Sequence, residues 1–75
     1  MPDRTYKLIE LVGVSEESTD AAIRNAIERA GQTLRGLDWF EVTETRGTIQ
    51  NGAVHQFQVT VKVGFRVMSP DELRG

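Results

Sequence analysis

The chain has 75 residues, 39% hydrophobic and 27% charged, with no cysteine, one histidine and a formal net charge of −2. A core this small rarely supplies more than roughly 3–5 kcal/mol, and disulfide or zinc staples lack their ligands, so self-association is expected. The acidic balance argues against binding to nucleic acid, and the short apolar runs and the charged first residues argue against a membrane span or signal peptide. We therefore expect a cytoplasmic protein.

The first two predicted elements are a strand and a helix. Residues 5–14 are apolar and partly β-branched, which is typical of a strand. N-cap residues are abundant in 15–20, and apolar residues then recur at helical spacing. These residues are Ile23, Ile27, Ala30, Leu34 and Leu37, with Ala22 and Ala26 beside them. The pattern predicts a helix from about Thr19 to Arg35, followed by Gly36 as the residue after its C-cap.

Two long strands complete the predicted fold. Apolar and polar residues alternate from 56 to 67, which is the period of a strand with one buried face. The preceding strand covers about 39–49, and Asn51-Gly52 is the preferred pair for a type I′ hairpin turn. The order strand, helix, strand, strand predicts an α+β domain, and one helix is too narrow to cover three such strands.

The two-residue turn also predicts the register of the hairpin. It pairs Gln50 with Ala53, so that Phe40 faces Val63 and Val42 faces Val61 on the side of the helix. The other face then carries Trp39, Glu41, Thr43 and Thr45 with Gln58, Thr60, Lys62 and Gly64. Gly64 lies across from Trp39 and is expected to leave open space beside the indole. A polar face with one tryptophan favours a subunit interface or a ligand surface.

Four residues on this hairpin are candidates for ligand binding. Trp39 is predicted outside the core, where an indole meets a partner or a planar ligand, and stacking is worth roughly 1–3 kcal/mol. Gln58 carries an amide that can donate and accept at the edge of a heterocycle. Arg66 shares its face, whereas Arg46 reaches it only through a bulge at Gly47 or a twist near the turn. An ordinary surface position remains the simpler interpretation of each polar residue.

The chain offers little machinery for catalysis. His55 has no partner at a recognisable spacing, and Glu41 and Glu44 are expected on opposite faces, which is a poor geometry for an acid and base pair. Nucleophile and phosphate-loop motifs are missing from the sequence. We therefore expect a protein that is not an enzyme.

Several separated blocks carry a specific resemblance. The sequence Leu37-Asp38-Trp39-Phe40-Glu41-Val42, then Arg46-Gly47, then 57–66, resembles the bacterial, FMN-binding dodecins. Further agreement lies in 6–7, 10–13, 21–23 and 33–35. The resemblance implies one domain over residues 1–67 and a C-terminal extension over 68–75. It also implies an antiparallel three-stranded sheet partly wrapped around the helix, and a hollow homododecamer.

The resemblance further implies a flavin site. Dodecins stack flavins in pairs between two tryptophans of symmetry-related subunits, and Trp39 corresponds to that tryptophan. Gln58 corresponds to the glutamine at the pyrimidine edge, and Arg46 and Arg66 to arginines near the phosphate, which favours FMN over riboflavin. Some members carry coenzyme A, for which Arg29 and Arg35 are candidates. The implied role is flavin storage with protection against flavin photochemistry; the alternatives are a flavoenzyme, and a scaffold or coenzyme A carrier.

Overall fold

A computed structural model describes residues 4–67. Its elements are β1 (Tyr6–Ser15), α1 (Thr19–Thr33), β2 (Leu37–Gln50) and β3 (Ala53–Arg66). The three strands form one antiparallel sheet in the order β1-β3-β2, so the last strand of the chain is the central one. The predicted β-α-β-β architecture is confirmed, and the predicted extension over 68–75 lies outside the described residues.

The hairpin of β2 and β3 is longer than the alternation predicted. Its ladder continues to the turn, where Gln50 pairs with Ala53 as expected. Asn51 has φ 55° and Gly52 has φ 79°, the positive values that both central residues of a type I′ turn require. The predicted pairs of Phe40 with Val63 and of Val42 with Val61 are also present.

The helix begins as predicted but ends earlier. Ser18 is the N-cap, and its Oγ accepts a hydrogen bond of 3.0 Å from the Ala21 backbone N–H. Leu34 is the C-cap and is already extended, so the prediction of a helix to Arg35 was wrong by two residues. Gly36, with φ 75°, leads into β2, and its carbonyl accepts from the Arg66 N–H at 2.9 Å. That contact with the end of β3 favours an early end to the helix.

Close approach between α1 and the sheet decides which helical residues are buried. A Cβ added at Gly13 on β1 would collide with the Ala22 carbonyl and lie 3.0 Å from the Ala26 Cβ. Small side chains therefore form the contact between helix and sheet. Ile23 and Ile27, which the helical spacing placed at the centre of the buried face, are only partly buried. The buried core consists of Ala22, Ala26, Ala30, Val59, Val61 and Val63.

The helix covers β1 and β3 and leaves β2 largely uncovered. Phe40 remains 49% exposed, although it lies on the side of the sheet that faces the helix. The expectation that one helix cannot cover this sheet is thereby confirmed. We call the side of the sheet away from α1 the outer face; it carries Trp39 and Gly64 and their neighbours in register.

Candidate functional site

An irregularity in β2 places Leu37 and Trp39 on opposite faces of the sheet. Leu37 pairs with Phe65, and Trp39 pairs with the next residue, Gly64, which leaves Asp38 as an extra residue in the strand. In a regular strand Leu37 and Trp39 would share a face, because side chains alternate. The bulge at Asp38 instead allows Leu37 to pack against the core while Trp39 lies on the outer face.

The Trp39 indole lies against Gly64. A Cβ added at Gly64 would fall 2.7 Å from the indole Nε1 and closer still to Cε2 and Cζ2. The indole therefore fills the space that the glycine leaves, and the expectation of open space beside it was wrong. Trp39 remains 44% exposed. An exposed aromatic ring supported by backbone is a suitable surface for stacking a planar ligand.

A second irregularity in β2 brings Arg46 to the same face. Val42 pairs with Val61 and Glu44 pairs with Thr60, so Thr43 is extra, and its Oγ1 donates to the Thr60 carbonyl at 3.3 Å. Between this bulge and the turn, the side chains of β2 therefore lie on the faces opposite to those predicted for a regular strand. Arg46 therefore faces Gln58, the position predicted for Thr45, and the bulge lies at Thr43 rather than at Gly47.

Arg46 and Gln58 are in direct contact. The Arg46 Nε donates a hydrogen bond of 2.9 Å to the Gln58 Oε1. This bond fixes the orientation of the amide, so that the Nε2 group is directed away from Arg46 and can donate to a ligand. The arrangement favours a ligand that presents a carbonyl to Gln58.

The same bulge changes the positions of two carboxylates. Glu41 pairs with Lys62 and Glu44 pairs with Thr60, so both lie on the outer face. The prediction that they point to opposite faces was wrong, because it assumed a regular strand.

The four predicted site residues form two pairs rather than one cluster. Trp39 lies at Gly64, and Arg66 is two residues further along β3 on the same face. Gln58, with Arg46 beside it, is six residues from Gly64 in the other direction, which is about 20 Å at roughly 3.3 Å per residue. One chain therefore presents an aromatic half-site and a polar half-site that a single ring system cannot contact together.

One contact beside Trp39 has no signal in the sequence. The Tyr6 hydroxyl donates a hydrogen bond of 2.9 Å to Oδ2 of Asp38, the bulged residue. Tyr6 lies on β1, at the opposite edge of the sheet. Because neither a bulge nor a contact across two strands follows from alternation, this pair was not among the predicted site residues.

The outer face also carries apolar side chains that this chain does not cover. They lie on β1 and are Leu8, Val12 and Val14, each 40% exposed or more. Within residues 4–67, no group of three His, Asp or Glu side chains is placed to hold a metal ion. None of the helices in that range is long and apolar enough to cross a membrane.

The comparisons with known proteins identify the family of this chain. The family model described as Dodecin matches residues 5–68. The chain belongs to the dodecin family. It is 56% identical over 64 residues to the dodecin of Thermus thermophilus, a match covering 85% of this chain and 93% of that protein.

Solved structures give the same result. A crystal structure of a Thermus thermophilus protein is 54% identical, with a TM-score of 0.86, and the match covers 89% of this chain and 98% of that one. Dodecin from Streptomyces coelicolor is 52% identical, with a TM-score of 0.88 and coverage of 92% and 99%. Dodecins are small binding and storage proteins rather than enzymes, so the prediction of a protein without catalytic activity is confirmed.

Proposed function

We propose that this protein stores FMN, with riboflavin as a weaker ligand, in flavin pairs stacked between tryptophans of neighbouring subunits in a cytoplasmic homododecamer. The observation that carries the proposal is the exposed Trp39 indole lying on Gly64 at the outer face. Such a ring offers one broad surface to a planar heterocycle, and the glycine keeps that surface close to the sheet. Stacking of a base on an aromatic side chain is worth roughly 1–3 kcal/mol.

The polar half-site supports the same ligand class. A flavin carries carbonyl groups on its pyrimidine ring, and the Gln58 Nε2, directed away from Arg46 by the bond to Oε1, can donate to one of them. Each guanidinium is a fork that suits a phosphate; Arg46 lies in the polar half-site and Arg66 in the aromatic half-site, so the two arginines that approach one FMN come from different subunits. The solved relatives include three single variants of Thermus thermophilus dodecin. One has a tryptophan replaced by phenylalanine, and the other two each have a different arginine replaced by alanine. These are the residue types on which our proposal rests.

Self-assembly follows from the separation of the half-sites. A ring stacked on Trp39 is about 20 Å from Gln58 of the same chain, so the glutamine over that ring comes from another copy. Apolar side chains exposed on both faces support this step. They include Leu8, Val12 and Val14 on the outer face and Phe40 and Val42 on the side of the helix. In a chain this short, their burial between subunits supplies the stability that a small core lacks.

Protection against flavin photochemistry follows from the stack itself. Indole is an electron donor, and in contact with an excited flavin it allows decay by electron transfer and rapid return of the electron. The second flavin and the surrounding subunits exclude solvent and oxygen from the ring. Bound FMN is therefore expected to be almost non-fluorescent.

The test is a fluorescence titration of FMN and riboflavin into the ligand-stripped protein, with Trp39→Ala and Trp39→Phe beside it. We expect saturable quenching near one flavin per chain, with tighter binding of FMN. Trp39→Ala should lose tight binding and most quenching, while Trp39→Phe, which keeps a smaller ring, should lie between the two. FMN binding of wild-type strength in Trp39→Ala would refute the stacking site.

The alternative is a scaffold or coenzyme A carrier with incidental flavin binding. Its candidate contact is Arg29, which lies in an open cleft of about 310 Å³ together with Leu11 and Val14. Arg35 is not among the residues of that cleft. A protein that neither quenches FMN nor riboflavin but binds coenzyme A would favour this alternative.

A further inference from the structure

The bulge at Asp38 directly precedes Trp39, and the two residues before the indole are anchored in different ways. Leu37 packs against the core cluster on the side of the helix. Asp38 is fixed by its carboxylate, which accepts the hydrogen bond from the Tyr6 hydroxyl. Because bulges bend a strand and redirect its side chains, whatever fixes Asp38 also fixes the direction in which Trp39 leaves the strand.

The hydrogen bond spans the whole width of the sheet. Tyr6 pairs with Arg66 of β3, and β3 separates β1 from β2. Neighbouring strands are about 4.8 Å apart, so the tyrosine and the bulge lie on strands roughly 10 Å from each other. Tyr6 shares the outer face with Gly64 and Arg66 by register, so its side chain reaches Asp38 on the same face as the indole.

We propose that Tyr6 and Asp38 are positioning residues that hold the Trp39 indole on Gly64, a role that rests on the proposed flavin function. Neither residue needs to touch the ligand. The phenol restrains the Asp38 carboxylate, the restrained carboxylate maintains the bulge, and the bulge presents the indole to the ring. Without the hydroxyl, Asp38 rotates into solvent and Trp39 samples orientations away from Gly64.

The proposal predicts a specific phenotype for Tyr6→Phe, which removes one hydroxyl and keeps the ring. The affinities for FMN and riboflavin should fall by the same factor, about 3- to 10-fold for the loss of one exposed hydrogen bond of ordinary strength. Equal loss is expected because both ligands share the stacked ring, and only FMN carries a phosphate. Asp38→Ala should reproduce the loss, whereas Asp38→Asn, which keeps an acceptor oxygen, should largely restore the affinity.

A second measurement does not depend on flavin. Trp39 is the only tryptophan, so the long-wavelength tryptophan band in near-ultraviolet circular dichroism of the ligand-stripped protein reports on this one indole. The band should weaken in Tyr6→Phe and Asp38→Ala and return in Asp38→Asn. Asn25→Ala is the matched control, because it removes another side-chain bond to β1, from Asn25 Nδ2 to the Val14 carbonyl at 2.9 Å. That variant should change neither the band nor the affinities.

A double-mutant cycle separates positioning from direct contact. If Tyr6 acts through the indole, Tyr6→Phe has no further effect on residual flavin binding in the Trp39→Ala background. A full additional loss there, or an unchanged tryptophan band and unchanged affinities in Tyr6→Phe, would overturn the proposal. Failure of the wild-type protein to quench any flavin would refute the proposed function instead, and the tryptophan band would still decide whether Tyr6 and Asp38 position Trp39.

Discussion

The contact between Trp39 and Gly64 is open to a direct test with Gly64→Ala. A single added methyl group would lie 2.7 Å from the indole Nε1 and closer to two ring carbons, so the indole must move. The backbone conformation at position 64 is compatible with alanine, since Gly64 is not among the glycines with positive φ. The perturbation therefore acts on the position of one side chain and leaves its chemistry intact.

The magnitude follows from the burial of Trp39. The indole is 44% exposed, so about 100–140 Å² of a side chain of up to about 250 Å² is covered. Complete detachment would cost at most about 3.5 kcal/mol at roughly 25 cal/mol per Å², and the lower entropy of the unfolded chain with alanine offsets about 0.4–1 kcal/mol of that cost. The domain is thus expected to fold. Loss of one stacking surface, worth about 1–3 kcal/mol, corresponds to a rise in the Kd of FMN of about 5- to 140-fold.

The assay combines FMN fluorescence quenching with thermal unfolding. Gly31→Ala in α1 is the matched control, because the nearest atom to its added Cβ is Leu37 Cδ1 at an ordinary 3.8 Å. It should leave FMN binding unchanged and raise stability by up to about 1 kcal/mol through helix propensity. If Gly64→Ala quenches and binds FMN as the wild-type protein does, the position of the indole on Gly64 is not what the flavin requires, and the reasoning is refuted.

Three further substitutions test other parts of the structure. Arg66→Ala should reduce the preference for FMN over riboflavin. Arg46→Ala should reduce that preference and also weaken the binding of riboflavin, because Gln58 loses the hydrogen bond that orients its amide. Parallel titrations with FMN and riboflavin measure the ratio of the two Kd values, and an unchanged ratio in both variants would show that these arginines do not contact the phosphate. Gly13→Ala should lower the unfolding temperature, because its Cβ collides with the Ala22 carbonyl of α1 and overpacking costs about 1–3 kcal/mol or more. An unchanged melting curve would show that the helix can withdraw from the sheet without loss.

The hairpin shows how far alternation alone predicts a strand. In β3 the period of two predicted the buried residues Val59, Val61 and Val63, because a central strand has a partner on each side that keeps it regular. The turn chemistry of Asn51-Gly52 then predicted the pairing at both the tip and the far end of the hairpin. These features depend on neighbouring residues or on a regular period, so they can be predicted from the sequence alone.

The strand β2 was predicted less well because it is an edge strand with bulges. Extra residues at Asp38 and Thr43 change which face the following side chains occupy. The partner of Trp39 was still predicted correctly, because two irregularities between the turn and Trp39 cancel. His55 is an unpaired residue in β3 and shifts the register by one, and Thr43 is an unpaired residue in β2 and shifts it back. Between those irregularities the count is off by one, so Arg46 was assigned to the wrong face.

The same physical reason limits prediction of the site as a whole. Tyr6 and Asp38 are 32 residues apart and meet only because β3 lies between their strands. Helix burial was misjudged for a similar reason, since Gly13 on β1 selects alanines as the helix contact. Contacts set by the approach of two elements depend on distances that a single sequence does not contain.

The bulges also connect the site to assembly. The bulge at Thr43 places Arg46 on the same outer face as Trp39, where one chain leaves an indole and a row of β1 side chains in contact with water. That exposure is unfavourable for an isolated chain of this size. The two half-sites lie about 20 Å apart on the sheet, so a ring on Trp39 meets Gln58 only when a second copy covers the same face. We infer that one event, the approach of a second subunit, both buries the apolar surface and completes the flavin site, so variants that weaken assembly should weaken FMN binding to a corresponding degree.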